Sequence, residues 1–121
     1  MPEIYIGTDL VAVNRIRSAM ERNKDRFITR VFTLSEQEYC QSKADPAIHF
    51  SGRFAAKEAI MKALKSGGWD HPVPFNSISI DPIDSGAPMV SLDFIINGEC
   101  RVSISHTDDQ ALAFAIFLPH K

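Results

Sequence analysis

An α+β fold is expected for this chain, with one long central helix and shorter helices packed on an antiparallel sheet. Three features point to it. Asp45 to Gly68, DPAIHFSGRFAAKEAIMKALKSGG, is punctuated as a single helix. Val11 to Arg30 carries a second helical stripe, and from Ser77 onward the pattern changes from helical spacing to short alternating runs divided by turn residues. Helices followed by closely spaced strands are the order typical of an α+β domain.

Taken along the chain, Glu3-Ile4-Tyr5-Ile6 is short and β-rich. Gly7 then permits a close backbone approach, so Asp9 is expected at a strand end, where it can meet a ligand, cap the following helix, or do both. From about Val11 to about Arg30, Val13, Ile16, Met20 and Phe27 form the apolar stripe of a helix. Thr33 and Ser35 open overlapping S/T-x-x-E boxes with Glu36 and Glu38, which predicts a short structural helix ending near Ser42. Asp45 reads as an N-cap with Pro46 in the first helical position, and Gly67 as the left-handed stop. The central helix between them, to about Lys65, would be roughly 30 Å long, enough to carry a core face and a site face together. Gly67 to Pro74 is an irregular loop with the single tryptophan, placed to line a ligand groove. Four strands follow: around Ile78–Ile80, Met89 to Ile96 after the Asp84–Pro88 turn, Cys100 to His106 after an Asn97-Gly98 hairpin signal, and the apolar Ala111–Leu118 run. That last run, ALAFAIFL, suits a central core strand or a subunit interface.

Composition narrows the function. With 121 residues, 45% of them hydrophobic and 23% charged, the chain fits one compact soluble domain spanning 1–121. A formal net charge of −2 argues against general nucleic-acid binding, and no apolar run approaches the ~20 residues of a membrane span. MPEIYIG has neither the basic nor the apolar region of a signal peptide, so a cytoplasmic location is expected. Cys40 and Cys100 form no CxxC pair and read as reduced thiols, and His49, His71, His106 and His120 lack zinc-ligand spacing. Charge is nevertheless uneven. Of the 13 Lys and Arg residues, Arg15, Arg17, Arg22, Lys24, Arg26 and Arg30 fall in the second helical stripe, giving either a solvated face or a docking surface.

The central helix carries an ionic row. Phe54, Glu58, Met61, Lys62 and Lys65 follow three- and four-residue steps, so Glu58 and Lys62 project from neighbouring turns of one side, and Arg53 with Lys57 forms a second such pair. A solvated Glu–Lys pair at this spacing is worth only about 0.2–0.5 kcal/mol and needs no ligand. The segments around it favour more. RFAAKEAIMKAL, preceded by IGTDLVAVNRI, resembles the holo-acyl-carrier-protein synthase family of 4′-phosphopantetheinyl transferases. RVFTLSEQEYC, FSGRFAAKEA and VSISHT are also similar to that family's segments at similar spacing, so the resemblance covers most of the chain. The sequence departs from the family pattern at Ala12, where Glu is usual, and at Ser66-Gly67-Gly68, where a GTG-like turn is usual.

The resemblance implies a phosphopantetheinyl transferase fold and transfer of 4′-phosphopantetheine from coenzyme A to a serine of apo acyl-carrier protein, with 3′,5′-ADP leaving. It implies Mg²⁺ held by Asp9 and Glu58, because that hard cation takes one or two carboxylates together with substrate phosphate and waters. At about 4 Å and an effective dielectric of 20 the two carboxylates would repel by about 4 kcal/mol, which a divalent ion reverses. Lys62, one turn beyond Glu58, would neutralise charge building on the phosphates. The serine proton can go to Glu58 or to a water held by the cation. Arg53, Lys65 and His106 are candidates for the remaining phosphates of coenzyme A, including the 3′-phosphate, with a structural hydrogen bond the alternative for His106. The basic helix, through Arg15, Arg17 and Arg22, would dock the acidic carrier protein. Family likeness to trimers adds a homotrimer with sites between subunits. Two competing readings stay open, a metal-dependent coenzyme A or nucleotide hydrolase and a non-catalytic carrier-binding module.

Overall fold

The computed structural model describes residues 3–120 as an α+β fold with two antiparallel sheets. In chain order the elements are β1 (Tyr5–Ala12), α1 (Val13–Val31), α2 (Leu34–Gln41), α3 (Pro46–Ser66), a 3₁₀ turn (Phe75–Ser77), β2 (Ile78–Pro82), β3 (Pro88–Leu92), β4 (Gly98–His106) and β5 (Gln110–Pro119). The larger sheet has the order β1-β5-β4, and β2 pairs only with β3. The ALAFAIFL run is therefore the central strand of its sheet.

α3 lies across the inner face of that sheet, and small side chains set its distance. Ala55, Ala56, Ala59 and Ala63 on the helix and Ala111, Ala113 and Ala115 on β5 are all fully buried. The approach is closest at Gly7, where an added Cβ would fall onto the Ala59 carbonyl and within 2.7 Å of the Ala63 nitrogen. Around the other flank of α3 stand the aromatic rings, with Phe32 against Phe50 at 4.7 Å and Phe54 stacked on Phe75 at 5.3 Å. Cys40 and Cys100 are buried, unpaired thiols, and burial pushes Cys40 up to about 12.

Several local expectations change once the tertiary partners are in place. β1 runs on through Ala12, so Asp9 is a mid-strand residue paired with Ala113, and α1 begins only at Val13. A helix starting at Val11 would leave its side chain and backbone without the pairing to Ala111 that buries them. α1 is also kinked at Asn23, whose φ of −145° and ψ of 54° lie outside the helical region. The left-handed residue after α3 is Gly68, at φ +94°, whereas Gly67 has φ −81°. The four late strands do not form one sheet. β3 stops at Leu92, residues 93–97 cross between the sheets, and Gly98 begins β4 opposite Pro119, so Asn97-Gly98 is not a hairpin turn. The hairpins are β2–β3, closed by Ile83 N–H to Ala87 O at 2.9 Å, and β4–β5, closed by Thr107 N–H to Gln110 O at 2.8 Å.

Glu36 and Lys57 join the parts. Thr33 and Glu36 form the expected capping box, but the Glu36 carboxylate also meets the Lys57 ammonium at 2.6 Å, with both side chains wholly buried. Lys57 donates to Val31 O at 2.7 Å and to Phe75 O at 3.0 Å, and Glu36 accepts from Ile80 N at 2.7 Å. One ion pair thereby ties the end of α1, α2, α3, the 3₁₀ turn and β2. Burial lowers the Lys57 pKa, opposed by the Glu36 charge. Lys57→Met, which strands a buried carboxylate, is expected to cost about 3–5 kcal/mol. Adding Glu36→Gln should recover part of that loss, because the unpaired buried charge is gone and the amide oxygen still accepts from one of the two backbone N–H groups, Thr33 N or Ile80 N. Urea unfolding of both variants checks this, and a double variant no more stable than Lys57→Met would show that the charge imbalance is not the cause.

Candidate active site

β1 and α3 bring Asp9, Glu58 and Lys62 to one edge of the helix–sheet contact. Asp9 belongs to the inward-facing set of β1 with Gly7 and Val11, and its side chain keeps 18% of its exposure. Lys62, more than half exposed, reaches across from α3 and donates to Asp9 Oδ1 at 3.3 Å and to Thr8 O at 2.9 Å. Glu58 is half-buried one turn earlier. Among the described residues Lys62 is thus paired with β1 and not with Glu58 at the i−4 position. What results is a patch of hard oxygen donors with one exposed ammonium over it.

Lys65 is the next exposed residue of the row, and with Met61, Trp69, Asp70 and His71 it lines a cleft of about 320 Å³. The loop after α3 does border this edge, as its composition suggested. Trp69 packs against His71 and Phe94 at 5.1 and 5.5 Å, and its buried indole Nε1 has no hydrogen-bond partner among the described residues.

Arg53 and His106 lie elsewhere. Arg53 is five residues from Glu58, about 140° round a helix of 3.6 residues per turn, so it points away from the Asp9 edge. It is 7% exposed, its guanidinium lies 4.3 Å over the Tyr39 ring, and its Nε has no partner among the described residues. His49, one turn earlier on the same side, stacks edge-on against both Tyr39 at 6.0 Å and His106 at 5.8 Å. Lys43 also caps the Tyr39 ring, at 4.6 Å. Arg53 and His106 are therefore brought into one cationic and aromatic cluster, on the far side of α3 from Lys62. His49, Tyr39 and Lys43 belong to it and had no sequence signal of their own beyond being titratable or aromatic.

Desolvation first, then Arg53 and His106, lower the His49 pKa. A base depressed in the folded state binds more protons when unfolded, so stability is full above its unfolded value near 6.5 and falls as the pH drops below it. The melting temperature is expected to fall between pH 7.5 and 5.5, less so in His49→Gln. An equal fall in both proteins would assign the acid sensitivity to other groups.

The basic face is partly neutralised. Arg17 forms a two-pronged pair with Asp45 at 3.1 and 3.0 Å, and Asp45 makes no side-chain cap to α3, contrary to its expected role. The Arg17 guanidinium holds the Asp45 carboxyl below the usual carboxylate range. Arg15 and Arg22 remain exposed, with Arg15 5.9 Å from the Phe54 ring centre. No helix among the described residues is long and apolar enough to cross a membrane.

Known proteins resemble this chain across nearly its whole length. Residues 5–115 match the model of the 4′-phosphopantetheinyl transferase superfamily. A holo-[acyl-carrier-protein] synthase of Chlorobaculum parvum is 42% identical over 115 residues, 94% of this chain and 97% of that protein. Among solved structures, Helicobacter pylori holo-[acyl-carrier-protein] synthase in complex with coenzyme A is 32% identical with a TM-score of 0.81, covering 93% of this chain and 98% of that one. The ACPS–CoA complex of Chronobacterium ammoniagenes superposes with a TM-score of 0.84 at 27% identity, over 98% and 99% of the two chains. The chain belongs to the 4′-phosphopantetheinyl transferase superfamily, and it is an enzyme of the transferase class.

Proposed function

We propose that the chain, acting as one domain, transfers 4′-phosphopantetheine from coenzyme A to a serine of apo acyl-carrier protein, releasing 3′,5′-ADP. The observation that carries this reading is the Asp9–Lys62 contact beside Glu58, in a chain so similar to proteins solved with coenzyme A. The serine oxygen attacks the pyrophosphate phosphorus bearing the pantetheine arm, and the bond to the ADP oxygen breaks. In this reading Lys62 meets the negative charge on the phosphate oxygens, and the serine proton goes to Glu58 or to a water held by the cation.

Asp9 and Glu58 suit Mg²⁺. Among the described residues no group of three His, Cys, Asp or Glu side chains is assembled for a metal. Two carboxylates leave most of an octahedral shell to waters and phosphate oxygens, as Mg²⁺ prefers. When bound there it would supply charge neutralisation for the transferring phosphate. With coenzyme A, Mg²⁺ and an apo carrier, mass spectrometry should show the carrier serine modified. Phosphopantetheine released free would mean a hydrolase, and no change in either molecule a binding module. Asp9→Asn and Glu58→Gln should each lower turnover by at least about a hundredfold, within the range ascribed to one positioned acid–base group, while circular dichroism stays native. Wild-type turnover in either would refute the assignment.

Arg15 and Arg22, exposed on α1 and without an ion-pair partner among the described residues, would dock the acidic carrier. Arg15→Glu with Arg22→Glu is expected to raise the KM for carrier about tenfold and to flatten its salt dependence, leaving coenzyme A affinity unchanged. Carrier kinetics that match wild type across a salt series would exclude this face.

The outer face of the larger sheet supports a homotrimer. Ile6, Leu10, Leu112 and Phe114 stand there 43–60% exposed, in adjacent cross-strand rows. An apolar sheet face of this kind calls for a covering partner. The division of cationic groups between opposite sides of α3 supports sites shared between copies, Asp9, Glu58, Lys62 and Lys65 from one subunit and Arg53 with His106 from its neighbour binding the 3′-phosphate. Glu58→Gln and His106→Ala chains refolded together should then exceed the activity of either parent, whereas the plain average of the two, in preparations shown to be mixed by native mass spectrometry, would place each site within one subunit. Coenzyme A as substrate and unpaired buried thiols suit a cytoplasmic enzyme.

A further inference from the structure

The Lys62 ammonium occupies the oxygens that a cation would seek. Its two contacts are Asp9 Oδ1 at 3.3 Å and Thr8 O at 2.9 Å. Both acceptors are hard oxygens, the kind that Mg²⁺ and a strongly hydrated lysine ammonium bind alike. The Lys62 stem leaves α3 beside Gly7, but its side chain retains 54% of its exposure, and the ammonium itself is held on β1 by these two bonds. Its role on transferring phosphate, by contrast, needs that ammonium to point at substrate. With two of its three N–H donors directed at β1 the ammonium has only one left for a phosphate, and a divalent ion held by Asp9 would repel it at close range.

We propose that Lys62 is an internal counter-ion of the metal-free site, displaced from Asp9 when a divalent cation binds and thereby released toward the substrate phosphate. This rests on the reading of Asp9 as a cation ligand given above. In the metal-free protein the ammonium offsets the charge of the Asp9 carboxylate. Cation loading then does two things in one event, because the incoming charge replaces Lys62 on Asp9 and sets the flexible lysine stem free. Competition for Asp9 makes the coupling reciprocal: whatever holds Lys62 on Asp9 weakens cation binding by the same factor.

The test is Mn²⁺ binding, followed by its electron paramagnetic resonance signal, in the full chain without coenzyme A. Lys62→Gln is expected to bind Mn²⁺ about tenfold more tightly than wild type, a factor ordinary for coupled sites. Lys65→Gln, which removes a charge on the same helix edge but one without a bond to Asp9, should change affinity by less than about twofold. Addition of Mg²⁺ should also move the Lys62 Cε resonance of the wild-type protein to its position in Asp9→Asn. An unchanged Mn²⁺ affinity in Lys62→Gln, an equal gain in Lys65→Gln, or a Lys62 resonance indifferent to Mg²⁺ would each overturn the displacement while leaving the cation site standing. Mn²⁺ binding that Asp9→Asn does not weaken is a different result, and it would remove the cation site and this inference together.

Discussion

The approach of α3 to the inner face of β1 and β5 is the constraint on which the other features depend. It needs a row of alanines on both surfaces and no side chain at Gly7, whose missing Cβ leaves room for the Ala59 carbonyl. A helix held off by one larger residue would lengthen the reach from α3 to β1, and Lys62 meets Thr8 and Asp9 only because that reach is short. Dispersion contacts are individually weak, so a close, dense contact is also what makes small side chains an adequate core. Packing and site geometry here are one property, since of the residues that set the spacing Gly7 lies two positions before Asp9 and Ala59 directly follows Glu58.

The buried Glu36–Lys57 pair adds what apolar packing lacks, a fixed rotation of the helix about its axis. Alanine surfaces are smooth and tolerate sliding, whereas an ammonium bonded to Glu36, Val31 O and Phe75 O has one acceptable position. Such a pair is not a strong source of stability, since desolvation offsets most of its attraction. Its value lies in direction. Lys57 directly precedes Glu58, so anchoring one side chain inward determines where the next one points.

The sequence made some of this legible and concealed the rest for physical reasons. α3 was readable at both ends because Pro46 and the Gly67-Gly68 pair act locally, and the Thr33–Glu36 box needed only four residues to declare itself. Asp9 and Lys62 are in contact, and Glu58 lies one turn before Lys62 on α3. β1 was read too short because Val11 and Ala12 suit a helix as well as a strand, and the choice is made by β5, at Gln110 and Ala111. The division into two sheets was hidden for the same reason. Lys57 was grouped with Arg53 by helical spacing alone, and only the arrival of α2 with Glu36 makes burial of its charge possible. Asp45 was read as a cap because capping is local, but Arg17, 28 positions away, claims its carboxylate.

α3 is consequently divided by direction into three territories. One faces the sheet and is all small apolar surface, one faces outward with Glu58, Lys62 and Lys65, and one faces α2 with His49 and Arg53 beside Tyr39. At about 100° per residue a helix can present such separate faces without any break in regularity. Its usual amphipathic contrast is correspondingly faint, because charge occurs on two sides and apolar residues fill the space between. A ligand bearing phosphates at two ends cannot follow both polar faces of one copy of this helix, since the sheet and its alanine contact intervene. Either Arg53 and His106 have a purely structural part in this chain, or a second copy presents them to the same ligand. The apolar outer rows of the sheet, Ile6, Leu10, Leu112 and Phe114, supply the surface through which a second copy would be held.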